Sequence, residues 1–133
     1  MHRSICIVLS LASLAAQAQS LQWQSAGDAQ YVCGGVSEEG RAELNSQRAA
    51  ANSELLFTEG PEGGYLADVS VTVRGAGLSQ PLVFNANGPS CLLKLPNGNY
   101  VVEAEYKGEK RTQNLKAGNA LNETKINWPE LDN

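Results

Sequence analysis

Leu93 to Gly108 reads LKLPNGNYVVEAEYKG, a tight turn running into a strongly alternating strand, and it commits the chain to β structure more firmly than any other stretch. Pro96 fixes its own backbone and ends the preceding strand, and Asn97-Gly98 is a common hairpin pair because both residues tolerate positive φ. From Tyr100 onward the residues alternate. Tyr100, Val102, Ala104 and Tyr106 fall on one face, and Val101, Glu103, Glu105 and Lys107 on the other. One face belongs to a core and the other to water.

The first residues read as an export signal. His2 and Arg3 precede the apolar run Ile5 to Ala16, and Ala16-Gln17-Ala18 supplies a small-x-small cleavage site. Residues 1–18 are therefore expected to be removed, with the mature chain beginning at Gln19. An apolar run of roughly 12 residues is too short for a membrane span, which needs about 20. Cys6 lies inside that run, and no cysteine follows its end to carry a lipid. The expected location is periplasmic or secreted, with no transmembrane segment after cleavage.

Removing that segment leaves about 115 residues, enough for one domain with a modest core. Of the charged side chains it takes only Arg3, so the net charge moves from −4 to −5. The remaining lysines and arginines form no run, which argues against a nucleic-acid partner. Cys33 and Cys91 are the two cysteines left, and in an oxidising compartment one disulfide is the economical reading. Cys91 shares parity with Leu93 and Leu95, which points its sulfur inward. Closing a loop of about 59 residues stabilises a fold by about 4 kcal/mol in the chain-entropy description.

Residues 19–32 are polar and carry few strand signals, and they are expected to form a partly ordered arm pinned by Trp23 and Tyr31. Gly34-Gly35 breaks the chain. Ser37 then makes a good N-cap, with Glu38 and Glu39 in the first turn, for a surface helix from about Glu38 to Ala51. Its apolar side rests on Leu44 and small alanines, so residues 19–52 form an arm with a short helix. Strands are then expected at Ser53 to Glu59, Tyr65 to Arg74, Leu82 to Ala86, Cys91 to Leu95, Tyr100 to Lys107, Glu109 to Lys116 and Glu123 to Trp128. About seven strands over 53–129 suggest a mainly β, single Greek-key sandwich, with 130–133 as a frayed end.

Three pieces in order, Leu66 to Gly77 (LADVSVTVRGAG), Gly88 to Gly108 (GPSCLLKLPNGNYVVEAEYKG) and Ile126 to Pro129 (INWP), resemble small exported bacterial proteins classed as carboxypeptidase regulatory-like. Their fold is similar to prealbumin-like, or transthyretin-like, Greek-key sandwiches. The resemblance spans Leu55 to Pro129 and is most specific at the L-P-x-G-x-Y turn, Leu95 to Tyr100. In carboxypeptidases the similar domain is a non-catalytic accessory, so the resemblance implies no peptidase activity, and fold analogy alone assigns no function.

The residues argue against most catalytic chemistry. The only histidine is His2, which removes Ser-His-Asp and Cys-His arrangements and the histidine ligands of most zinc sites. It also separates the chain from hydroxyisourate hydrolases of transthyretin-like fold, whose active sites depend on histidines. Gly60 to Gly64 lacks the Lys-Ser/Thr of a phosphate loop. Glu103 and Glu105 share a solvated strand face beside Lys107 and read as a charged ladder. Asp28, Asp68, Asn85 and Asn87 lack the spacing of a calcium loop, so neither metal nor cofactor is expected. Gram-positive stalk domains with a similar turn carry a Lys-Asn isopeptide bond. They need an acid where this chain has Ala104 and a lysine in an early strand, yet none precedes Lys94. Asn122-Glu123-Thr124 reads as a chance glycosylation tripeptide, and Trp23 and Trp128 as packing residues.

The expectation is a non-catalytic binding or envelope-assembly module with a protein or glycan partner. A secreted protease inhibitor, or a small hydrolase built on carboxylates, Tyr100 or Tyr106 and backbone donors, are the alternatives. Recognition tends to move to end loops in a sandwich, which makes Gly60, Pro61, Glu62, Gly63 and Gly64, together with Asn85, Asn87, Gly88 and Pro89, the candidate binding loops.

Overall fold

A computed structural model describes residues 21–130. The expected export signal, its expected cleavage site before Gln19 and all but the first residue of the expected frayed end lie outside the described residues. In chain order the elements are β1 (Gln24–Ala26), β2 (Ala29–Gly34), α1 (Glu38–Ser46), a 3-10 turn (Arg48–Ala50), β3 (Ser53–Glu59), β4 (Gly64–Tyr65) and β5 (Val69–Gly75). They continue with β6 (Leu82–Ala86), β7 (Ser90–Lys94), β8 (Gly98–Tyr106), β9 (Glu109–Ala117) and β10 (Asn122–Trp128).

The strands form two sheets. One runs β1-β2-β7-β3-β10, with β4 also paired to β3, and the other runs β6-β5-β8-β9. Alternation decides which side chains lie between them. Val69, Val71 and Val73 on β5 and Tyr100, Val102 and Ala104 on β8 are buried, and they meet Leu55 and Phe57 of β3, Leu93 of β7 and Trp128 of β10 in one core. Two sheets sharing a core, with one short helix outside, is a mainly β arrangement consistent with a sandwich. Trp128 is fully buried beside Phe57 and Tyr106, and its indole N–H donates to the Glu109 carbonyl at 2.9 Å, so it packs as expected.

Residues 19–32 do not form a loose arm throughout. From Gln24 the chain makes a hairpin through Gly27, whose φ of 61° suits the tight turn, and β2 then pairs with β7 from Gln30↔Lys94 to Gly34↔Ser90. The usual strand signature is weak here because both faces of β2 are covered. Ala29 and Cys33 face the intersheet core, while Val32 on the opposite face packs with Leu44 of α1 and Leu92 of β7. Cys33 lies opposite Cys91 in this pairing, and the two are joined, S–S 2.07 Å.

Tyr65 to Arg74 is not one strand. Tyr65 pairs with Thr58 in the first sheet, whereas β5 pairs with β6 and β8 in the second, and the chain changes sheets through Leu66 to Asp68. Asp68 takes a φ of 62°, a left-handed conformation that Asp tolerates better than most residues, and its N–H donates to the Ala86 carbonyl. Leu66 turns inward and Tyr65 is left 58% exposed, reversing the parity expected for a continuous strand. The Pro96-Asn97 turn likewise closes no hairpin: β7 lies in one sheet and β8 in the other, so the link crosses between them. Tyr100 stabilises that crossing by donating its hydroxyl to the Pro96 carbonyl at 2.5 Å.

The helix starts where the cap requires, with the Ser37 hydroxyl accepting from Gly40 N–H at 3.0 Å. It ends at Ser46, short of the expected Ala51, because Leu44 is its one buried residue and no apolar stripe continues beyond it. The 3-10 turn then swings the chain back to the start of β3. Asn52 fixes this return, donating its amide to the Leu95 carbonyl and accepting from Leu95 N–H. Among the described residues no helix is long and apolar enough to cross a membrane.

Candidate functional site

The two glycine- and proline-rich loops differ in character. Gly60 to Gly64 is a tight turn from β3 to β4, tied by Gly60 N–H to the Trp128 carbonyl at 2.7 Å and by Gly63 N–H to the Gly60 carbonyl at 3.3 Å. Pro61, Glu62 and Gly64 are exposed, so its tip is accessible. Asn85, on β6, and Asn87 are exposed as well. Gly88 and Pro89 are not available to a partner, because both are buried where the chain crosses from β6 to β7. A Cβ on Gly88 would collide with the backbone of Gly34, and the Pro89 carbonyl accepts from Phe57 N–H at 2.8 Å. Their composition reflects a close backbone approach rather than an open loop.

The groups considered for hydrolysis are occupied. Tyr100 is buried and bonded to Pro96, and burial, with the charge of Asp28 adding to it, raises its pKa and keeps the phenol protonated. Tyr106 packs edge-on against Trp128. Glu103 takes Lys110 at 3.2 Å and Arg74 at 3.0 Å, and their hydrogen bonds lower its pKa, as a strand-face ladder should. Among the described residues no three His, Cys, Asp or Glu side chains converge.

A different constellation lies on the outer face of the first sheet, in a cleft of about 340 Å³ beneath α1. Arg41, Leu44, Asn45 and Arg48 recur at helical spacing and present one side toward it. The sheet supplies Glu54 and Leu56 from β3, Ser90 from β7 and Glu123 from β10, and Tyr65 closes one end from β4. Parallel pairing of β3 with β10 sets Glu123 directly beside Glu54. The Arg48 guanidinium stands 3.5 Å from the Glu54 carboxylate and 3.9 Å from that of Glu123. The Arg41 guanidinium lies 6.0 Å from the centre of the Tyr65 ring, a cation–π contact at the limit of useful range.

Only 9% of the Glu54 side chain is exposed, and its pKa is pushed up to about 7 from 4.5. Burial is the main cause, a hydrogen bond with Glu123 and the charge of that neighbour add to it, and Arg48 opposes it. The folded chain therefore holds this proton more tightly than the unfolded chain, and stability from Glu54 is lost as pH rises from about 4.5 to about 7. At 1.36 kcal/mol per pKa unit the change is on the order of 3 kcal/mol. Glu54→Gln is expected to remove this dependence, so denaturant unfolding should show its stability gaining on the parent between pH 5 and pH 8. Parallel pH curves for the two proteins would contradict the assignment.

This cleft escaped the sequence reading, although Glu54 stands immediately before the apolar run Leu55 to Phe57 and Arg41 and Arg48 lie seven residues apart. No protein-family model and no curated protein matches the chain.

Proposed function

We propose that the chain is an exported, non-catalytic binding module, an accessory to secretion or envelope assembly, that takes its ligand in the cleft beneath α1. The observation that carries this reading is the cleft itself, where two guanidinium groups, two carboxyl groups and an exposed tyrosine surround a partly apolar floor. Concave sites with an apolar wall and a few converging polar groups are the usual form of a ligand pocket. Export rests on the N-terminal signal pattern and suits the Cys33–Cys91 bridge. Kinship with carboxypeptidase regulatory-like, prealbumin-type Greek-key domains is part of the same proposal. Non-sequential neighbours such as β5 beside β8 and β3 beside β7 support it.

The hydrolase reading draws on one observation, the near-neutral Glu54 beside a second acid. Glycosidases set their two carboxyls about 5 Å or more apart to bracket the reacting carbon, whereas Glu54 and Glu123 are close enough to share a hydrogen bond. A binding role therefore fits better. Chemical-shift mapping of the labelled protein against a panel of small acids, amines and sugars tests it, and shifts should concentrate at Arg41, Leu56, Tyr65 and Ser90. Shifts confined to Pro61, Glu62, Asn85 and Asn87 would move the site to the end loops. Turnover of a glycoside or ester that Glu54→Gln abolishes would establish the hydrolase instead.

A further inference from the structure

The charges in the cleft are unequally committed. Arg48 is held by Glu54 and Glu123, but among the described residues Arg41 has no carboxylate within ion-pairing distance. Glu54 is nine-tenths buried and aimed into the cleft, so Arg48 meets an internal anion at the position where an external one would dock. Leu56 and Tyr65 supply apolar lining to the same cleft, with the Tyr65 ring 6.0 Å from the Arg41 guanidinium, and a guanidinium fork recognises a planar carboxylate better than any other common anion holder.

We propose that the cleft captures a small organic carboxylate carrying an apolar body, which displaces Glu54 from Arg48, takes Arg41 as its second guanidinium and lays its body against Tyr65 and Leu56. The inference rests on the binding reading above. Displacement leaves Glu54 buried without its counter-ion, so Glu54 takes a proton from solvent and donates it in a hydrogen bond to Glu123. Binding is thus coupled to uptake of one proton wherever Glu54 begins ionised. Arg48 from the 3-10 turn and Glu123 from β10 stand against Glu54, and Arg41 from α1 and Tyr65 from β4 are the other charged and titratable groups that line the cleft. With Glu54 titrating near neutrality, affinity for the carboxylate should rise about tenfold from pH 8 to pH 6.

The test is titration of the oxidised, labelled protein with benzoate, benzylamine and benzyl alcohol at pH 6 and pH 8, followed by amide shifts. Benzoate should perturb the cleft residues and bind about tenfold more tightly at pH 6. Arg41→Gln and Arg48→Gln should each weaken it about tenfold or more. Glu54→Gln should bind equally at both pH values, matching the parent at pH 6. Equal affinity of the parent for benzoate at pH 6 and pH 8 overturns the displacement, and this readout needs no variant to fold. Binding of benzylamine or benzyl alcohol in the cleft without benzoate overturns the carboxylate inference and leaves the binding reading intact. Silence of the cleft toward all three probes overturns both.

Discussion

Val71→Asp should abolish the folded state. Val71 sits at the middle of β5 with no exposed surface, opposite Phe84 on β6 and Ala104 on β8, and its side chain points into the core between the sheets. A carboxyl group there finds no hydrogen-bond donor among Val69, Val73, Phe84 and Val102. It must remain protonated or draw water into the core, and either costs several kcal/mol besides the lost valine packing. A domain of this size has only about 5–15 kcal/mol to lose. The matched control is Val83→Asp on the neighbouring strand β6, where the side chain is 67% exposed and the expected change is within about 0.5 kcal/mol. Circular dichroism and amide dispersion at 25 °C compare the two, and a Val71→Asp protein melting near the parent temperature would mean that β5 does not face the core.

The same alternation explains which parts of the fold were legible beforehand. On β5 and β8 one face is core and the other is water, so hydrophobicity changes sign at every residue and both element and orientation can be read from local pattern. On β2 that contrast is missing, since Val32 lies under the helix while Cys33 lies between the sheets. A strand covered on both sides looks like no strand at all when it is six residues long and contains Gln30 and Gly34. The break at Asp68 was hidden for another reason. The residue types keep alternating from Tyr65 to Arg74, whereas burial changes parity at Leu66, where the chain passes from one sheet to the other.

The cleft was less legible still. Its charged groups come from α1, the 3-10 turn, β3 and β10, and the step that brings Glu54 and Glu123 together is a parallel pairing between segments far apart in the chain. Nothing local marks either acid as one of a pair. What could be read was narrower: His2 is the only histidine in the sequence, so the described residues hold none for a Ser-His or Cys-His pair. Tyr65 shows how the two kinds of information join. Its pairing with Thr58 in the first sheet leaves that ring exposed, where it becomes a wall of the cleft.

Opening the Cys33–Cys91 bridge should cost about 4 kcal/mol, lowering the melting temperature by roughly 15 °C. The bridge spans 58 residues of sequence, so most of that loss comes from the larger ensemble of the unfolded chain. The rest is local and follows from topology. β2 is joined to the body of its sheet through β7 alone, since its other neighbour is the three-residue β1, and α1 leans chiefly through Leu44 on Val32 and Leu92. With the covalent tie gone, β1, β2 and α1 form the segment that opens most readily, and they carry Arg41 with them. Hydrogen exchange should therefore show Tyr31 to Gly34 losing protection in the reduced protein while β5 and β8 keep theirs. Cys33→Ala with Cys91→Ala reports the same quantity without reductant, and agreement between the two separates the cross-link from any effect of the chemical. A reduced protein with an unchanged melting temperature would show that β2 is held by packing and backbone pairing alone.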